Sequence, residues 1–391
     1  MAEASSESHG LRGLAALFLR LGSTAFGGPA AHIALMEDEV VRRRGWLTKE
    51  EFLDLLGATQ LIPGPNSTEL AIHIGYRRGG WPGLLIAGTC FIFPAACLTA
   101  AIAWGYVRFG RLPQMAAVLY GVKPVIIAVV AQALWRLGKS ALKSRSLVAL
   151  AVAATALSLA GLNELLILFG AGAASMAMRG GRGRESGTPF CAAPFAAAIA
   201  GAPAAGAIAP AAIGLWPLFL FFLKVGSVLF GSGYVLFAFL RADLVERWHW
   251  LTEDQLLDAI AVGQMTPGPV FTTATFIGYV LGGGAGAVLA TVGIFLPAFV
   301  FVAVSGPLVP RLRRSPLAGA FLDGVIVGSM ALMALVTVDL ARGAVVDIVT
   351  IGLSLVSAVL LFRYRVNSAW LVLGGAAAGL ASFFLSKGVG E

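Results

Sequence analysis

QLIPGPNSTELAIHIG, residues 60–75, returns as QMTPGPVFTTATFIG at residues 264–278. Two prolines around a glycine cannot sit inside a continuous helix, because each proline lacks an amide donor and crowds the preceding turn. The chain must therefore unwind at Pro63-Gly64-Pro65 and at Pro267-Gly268-Pro269, then restart a helix after each break. The restart Asn66-Ser67-Thr68-Glu69 is rich in capping side chains, and Thr272 and Thr273 stand near the same place in the echo. A helix start presents unpaired N–H groups and about half a positive charge, which suits an anion. The competing reading is that both breaks are structural kinks.

The echo extends well beyond this stretch. At a constant shift of 204, 18 of the 48 positions from Phe18 to Pro65 are identical to those from Phe222 to Pro269. Roughly one in ten is expected for two unrelated apolar strings. The matches include Gly22/Gly226, Ser23/Ser227, Phe26/Phe230, Trp46/Trp250, Asp54/Asp258 and Gln60/Gln264. After a slip of one residue they resume with Ile74-Gly75-Tyr76 over Ile277-Gly278-Tyr279. The chain is a duplication. Each unit opens with a helix broken by small residues, Phe26-Gly27-Gly28-Pro29 and Phe230-Gly231-Ser232-Gly233. Thr48-x-x-Glu51 and Thr252-x-x-Gln255 then have capping-box spacing and should start the helices that run into the two breaks.

The solvent of these units is lipid. Hydrophobic residues make up 58% of the 391 and charged ones only 12%, about half the usual charged share. Apolar runs long enough to cross a bilayer recur at Trp81–Val107, Gln114–Leu137, Trp216–Leu240, Ala285–Val309, Val345–Phe362 and Ala369–Leu385. Lipid offers backbone groups no partner, so these runs must be helices. The net charge of +8 is concentrated between them, as in Arg42-Arg43-Arg44 and Arg77-Arg78. That is the loop bias of membrane proteins, and nucleic acid is not an expected partner. Cys90, Cys97 and Cys191 share no metal-ligand spacing.

The expected fold is all-α: a polytopic transmembrane bundle of two homologous repeats with broken or re-entrant helices, the halves in opposite orientation. Residues 1–10 read as a disordered N-terminal tail and 11–178 as the first repeat. A linker with one apolar segment follows at 179–213, and 214–391 is the second repeat. Duplicated units with interrupted helices are the recurrent design of secondary transporters, whose sites lie at the midplane between repeats.

Charges inside the spans add candidates. Arg20 and Lys224 are aligned by the duplication, and a cation there must snorkel, face a cavity or meet an anion. Glu69 lies just past the first break in an apolar helix, where it could carry a proton or complement the helix dipole; its counterpart is Thr273. Lys123 is a further buried-cation candidate. His32 and His73 lack metal spacing and read as packing or pore-lining residues.

These motifs together resemble the chromate transporter family. The resemblance is carried by Phe18–Pro29, Gly45–Phe52, Gln60–Pro65 and Phe93-Pro94, with the second copy matching that family's second domain. It implies export of chromate across the bacterial inner membrane, proton-driven, with sulfate as a close analogue. Carried onto this chain, it points to the FGG and PGP segments and the cation near Arg20. The candidate substrate-binding set is Arg20, Ser23, Phe26, Gly27, Gly28, Gln60, Pro63, Gly64, Pro65, Asn66 and Ser67 in the first half. In the second half it is Lys224, Ser227, Gly231, Ser232, Gln264, Thr266, Pro267, Gly268 and Pro269, with Glu69 for proton coupling. The partners are a chromate- or sulfate-like oxyanion and membrane lipid, with a homodimer open to it; no cofactor is called for. No ATP-binding loop and no catalytic constellation stands in the sequence, which disfavours a pump or an enzyme. A passive anion channel remains the alternative.

Overall fold

The computed structural model describes residues 2–26, 28–109, 113–180, 214–230, 236–305, 316–364 and 366–388. The described residues are helical with connecting turns, and no strand occurs among them. The first repeat comprises α1 (Ala2–Thr24), α2 (Gly28–Glu37), α3 (Lys49–Thr59), α4 (Asn66–Phe109), α5 (Pro113–Ala141), α6 (Arg145–Leu159) and α7 (Glu164–Gly180). The second follows the same order: α8 (Leu215–Val228), α9 (Leu236–Leu240), α10 (Glu253–Met265), α11 (Thr273–Ser305), α12 (Pro316–Ala344), α13 (Ile348–Arg363) and α14 (Ser368–Gly388). Five described helices are long and apolar enough to cross a membrane.

Helix α1 begins at Ala2. One expectation is corrected. The run Trp216–Leu240 is not one span, because α8 ends at Val228 and Leu229 is already extended. Of the expected linker, Arg179 and Gly180 belong to α7, and residues 181–213, with the apolar segment, lie outside the described residues.

Both expected capping boxes form. The Thr48 side chain accepts from the Glu51 amide while Glu51 returns to the Thr48 amide, and Thr252 and Gln255 do the same. Each helix so started runs inward to its PGP break. The following helix is itself folded in two. In α4 the backbone leaves helical geometry at Gly79 and Gly80 (φ +57° at Gly80), and in α11 at Gly282 and Gly283 (φ +60° at Gly283). Residues 66–78 thus form an inner arm that turns back antiparallel on a long arm, residues 81–109. The backbones touch where Gly75 abuts Gly83, and Gly278 abuts Gly286 in the same way. Only glycine lets two helix backbones approach so closely.

The inner arm does not carry the chain across. Arg77, near its end, pairs with Glu51 at the start of α3 (3.0 Å), and Arg78 lies over the Trp46 ring (5.0 Å). Entry and exit are on one side, so α3 and the inner arm form a re-entrant hairpin with Pro63-Gly64-Pro65 at its tip. This first hairpin opens at the end of the long arm where residue 81 lies. The second hairpin opens at the other end: α10 is tied near its start to Tyr106 and Lys123. The two repeats therefore stand inverted.

They are also intertwined. Each α1-type helix packs on the long helix of its own repeat, but α5 packs on α13 and α14, and α12 packs on α6 and α7. Gly121 abuts Gly375 and Gly379 in one such crossing; Gly324 abuts Ala171 in its mirror. The fold cannot be halved without exposing both.

Candidate functional site

The four breaks meet at the centre. The Gly64 amide donates to the Leu229 carbonyl (2.6 Å), and the Gly268 amide donates to the Ala25 carbonyl (2.9 Å). Ala25 and Leu229 are the residues at which α1 and α8 end. Each PGP tip is thus held by the broken helix of the other repeat. Gly64 has φ +140° and Gly268 φ +90°, backbone shapes that a side chain resists. A Cβ on Gly268 would lie 2.7 Å from the Ala95 Cβ, and one on Gly64 would lie 3.6 Å from that of its counterpart Ala298. Ala95 is halfway along the long arm, residues 81–109, so the tips lie at mid-height of the long helices.

The helix after the first tip starts at once, with the Thr68 and Glu69 amides donating to the Pro65 carbonyl (2.8 and 3.0 Å). The amides of Asn66 and Ser67 precede the first intrahelical bond and point to the tip. Around this start lies a group of buried polar atoms. Asn66 Oδ1, Thr68 Oγ1, both carboxyl oxygens of Glu69 and His73 Nε2 have no hydrogen-bond partner among the described residues. Asn66, Glu69 and His73 are spaced i, i+3, i+7 and share one helix face. The Glu69 carboxyl touches the tip itself, since a Cβ on Gly64 would collide with its Oε1. His32 closes the other side. Its Nε2 is 3.0 Å from the Ala25 carbonyl, which can only accept, so Nε2 carries the proton; neutral Nδ1 then faces the Ser67 hydroxyl at 3.4 Å.

The second start is made differently. Its hydroxyls are consumed internally: Thr272 donates to Pro269, Thr273 to Val270, and Thr275 shares a bond with Thr291 (2.7 Å). Buried polar groups cost roughly 1–3 kcal/mol each when unpaired, so the first start is the one shaped to receive something polar.

The other sequence candidates are spread wider. Gln264 and Thr266 are buried beside the second tip; Gln264 Nε2 has no partner among the described residues, and the Thr266 hydroxyl is 3.5 Å from that of Thr99. Phe26 is half-buried next to the first break, and Gly28 takes φ +76° where α2 begins. Gln60 is exposed at the end of α3. The hydroxyls of Ser23 and Ser227 bond back to their own helices at Leu19 and Leu223. Gly27, Gly231 and Ser232 lie outside the described residues.

Arg20 and Lys224 are matched in structure as in sequence, and each meets a carboxylate. Arg20 pairs with Glu39 at 2.6 Å, and Lys224 with Asp243 at 3.0 Å. Burial works against ionising Glu39, but hydrogen bonds from Arg20 and Arg44 hold its carboxyl below the usual range. The cations are 49% and 40% exposed, whereas the carboxylates are buried. Thr68, His73 and the carbonyls of Ala25 and Leu229 were not on the sequence-derived list. Their signal is a run of polar residues, Asn66 to Glu69 and His73, where the copy has Val270, Phe271 and Phe276.

The family model described as Chromate transporter matches residues 12–176 and again 216–380, the two repeats in turn. A "Chromate transport protein" of Cupriavidus metallidurans is 33% identical, over 94% of this chain and 92% of that relative. Its namesake in Pseudomonas aeruginosa is 34% identical over 95% and 92%. A "Probable chromate transport protein" of Synechococcus elongatus is 30% identical over 90% and 89%. No solved structure matches the chain. Two matched copies, and relatives at these identities along nearly the whole length, agree with the inverted bundle and its central breaks: the chain belongs to the chromate transporter family, and is a multi-pass membrane transporter rather than an enzyme.

Proposed function

We propose that this chain exports chromate across the bacterial inner membrane, binding the oxyanion at the first PGP tip in a step coupled to protonation of Glu69. Sulfate, of the same shape and charge, is the natural competitor. The observation that carries the reading is Glu69: fully buried, with neither carboxyl oxygen partnered among the described residues, against Gly64 at a helix start. An ionised Glu69 and a divalent oxyanion compete for the same amides and the same positive helix end. A protonated Glu69 instead vacates that end and offers a donor. The anion would then take the free amides of Asn66 and Ser67, the Thr68 hydroxyl and His73, each contact to a charged group contributing about 1.5–3 kcal/mol. Inversion supplies the alternation, because the two hairpins open to opposite faces and meet at one depth.

The test is chromate uptake by inverted vesicles with and without a pH gradient. Accumulation against the chromate gradient that collapses with the pH gradient supports proton-coupled export. Flux without accumulation makes the chain a channel, and absence of flux removes chromate as substrate. Glu69→Gln should keep chromate binding but lose the pH dependence of transport; an unchanged pH profile removes Glu69 as the proton carrier.

A further inference from the structure

We propose that Asp258, on the second re-entrant hairpin, is a proton-sensitive tether, held by Tyr106 and Lys123 of the first repeat and released when it takes a proton. The proposal rests on the transport reading above but concerns residues that reading leaves idle. Asp258 lies on α10, the descending leg of the second hairpin, and is 4% exposed. The Tyr106 hydroxyl donates to its Oδ2 (2.9 Å), and Lys123 Nζ stands 3.5 Å from its Oδ1 and 2.7 Å from Asp254 Oδ1. The Tyr106 ring also lies against Phe276 of the returning leg, 5.1 Å between centroids. One tyrosine at the end of the long arm thus grips both legs of the opposing hairpin.

The duplication shows that this contact is not part of the shared frame. Asp54 matches Asp258 in sequence but is exposed, and the shift of 203 puts Ile326 where Lys123 stands. As a carboxylate, Asp258 accepts from Tyr106 and attracts Lys123. With a proton on it that attraction is lost, and the hairpin is left with its apolar contacts and the pair between Lys123 and the exposed Asp254. The groups that bear on Asp258 are Tyr106 from α4, Lys123 from α5 and Asp254 from its own helix. Arg241 instead gathers Glu246, Glu253 and Asp339 at the helix start; Asp243 is taken by Lys224 and Arg247, Arg342 pairs with Asp339, and Asp323 with Lys143 and Arg179. Helix α11 and the Val270–Thr272 turn carry no charged residue, and α14 carries only Lys387. A hairpin freed by protons at one membrane face is the gate that a proton-driven cycle requires on that side.

Hydrogen exchange of the purified full chain in nanodiscs tests this without any substrate. It therefore still reports if the chain turns out not to move chromate. After correction for intrinsic rates, protection of α10 should fall by about tenfold between pH 7.5 and 5.5, while that of its counterpart α3 holds. Asp258→Asn should be weakly protected at both pH values, with no remaining pH dependence. An α10 in Asp258→Asn as protected and as pH-sensitive as in the parent overturns the proposal. Should Asp258→Asn loosen the whole bundle, Tyr106→Phe decides. Loosening confined to the second hairpin supports the tether, and an unchanged α10 overturns it.

Discussion

The two PGP tips have one geometry and two chemistries. Both are capped by a carbonyl of the opposite repeat, both take a left-handed glycine, and both sit against a matched alanine. After the first tip, four buried polar side chains are left without partners among the described residues; after the second, three threonines satisfy themselves. Duplication therefore preserved the frame that brings helix starts to the middle of the bundle, and divergence placed the polar chemistry in one copy. A two-site symmetric carrier would need Glu69 and His73 to have counterparts, and Thr273 and Phe276 are none.

The largest effect should come from adding one carbon at each tip. Gly64→Ala drives a Cβ into the Glu69 carboxyl, whereas Gly268→Ala drives one against Ala95 and the Gly22 carbonyl. Both variants pay a backbone penalty of about 1–3 kcal/mol, so both should lose thermal stability to a similar extent. Only Gly64→Ala should also lose chromate affinity, by about 100-fold, the equivalent of one charge-assisted contact at the strong end of its range. Titrations of the two purified variants that show equal loss of affinity would make the halves equivalent and break the comparison.

A smaller difference is expected between His73 and Phe276. His73→Phe copies the second repeat into the first and removes one unpartnered donor or acceptor; about a tenfold rise in the chromate KM should follow. Phe276→Leu changes only packing and should leave KM within about twofold while lowering Tm. Transport assays on matched amounts of protein check both, and a larger KM change for Phe276→Leu would relocate the site to the second hairpin.

Much of this frame was legible in the sequence. Repetition exposed the duplication, proline chemistry the breaks, and capping boxes the starts of α3 and α10. Two things were not legible. The re-entrant path depends on Gly79-Gly80 folding α4 back; Arg77-Arg78 and the two glycines mark a turn there, but hydropathy does not say whether residues 52–76 have crossed the membrane or re-entered. The partners of Arg20 and Lys224 were hidden because Glu39 and Asp243 sit in charged stretches that read as exposed loops. The chain instead winds there into short π-helical turns, Asp38–Arg43 and Arg241–Arg247, and buries both carboxylates. Which copy kept the polar start was written in the sequence, but Asn66, Thr68 and His73 look like ordinary helix residues until burial leaves them unsatisfied.

The matched ion pairs should give the smallest effects. If Lys224 holds the oxyanion, Lys224→Met raises the chromate KM by about tenfold, and adding Asp243→Asn does not repair it. If its work is to neutralise Asp243, Lys224→Met lowers Tm by leaving a buried carboxylate short of a cation. The double variant then restores Tm with KM near the parent value. The geometry favours the second outcome, since the ammonium is already engaged at 3.0 Å. The first-repeat pair adds a pH signature. Burial opposes ionisation of Glu39, yet Arg20 and Arg44 keep its carboxyl below the usual range. Its contribution to stability is therefore complete above the unfolded value of about 4.3 and drains away as pH falls below it. Glu39→Gln should flatten the decline of Tm on the acid side of about pH 4.5 and change little at pH 7 beyond the loss of the pair itself. A parallel decline in parent and variant would mean that the Arg20 pair adds nothing to the fold, and would leave that guanidinium free to serve the anion.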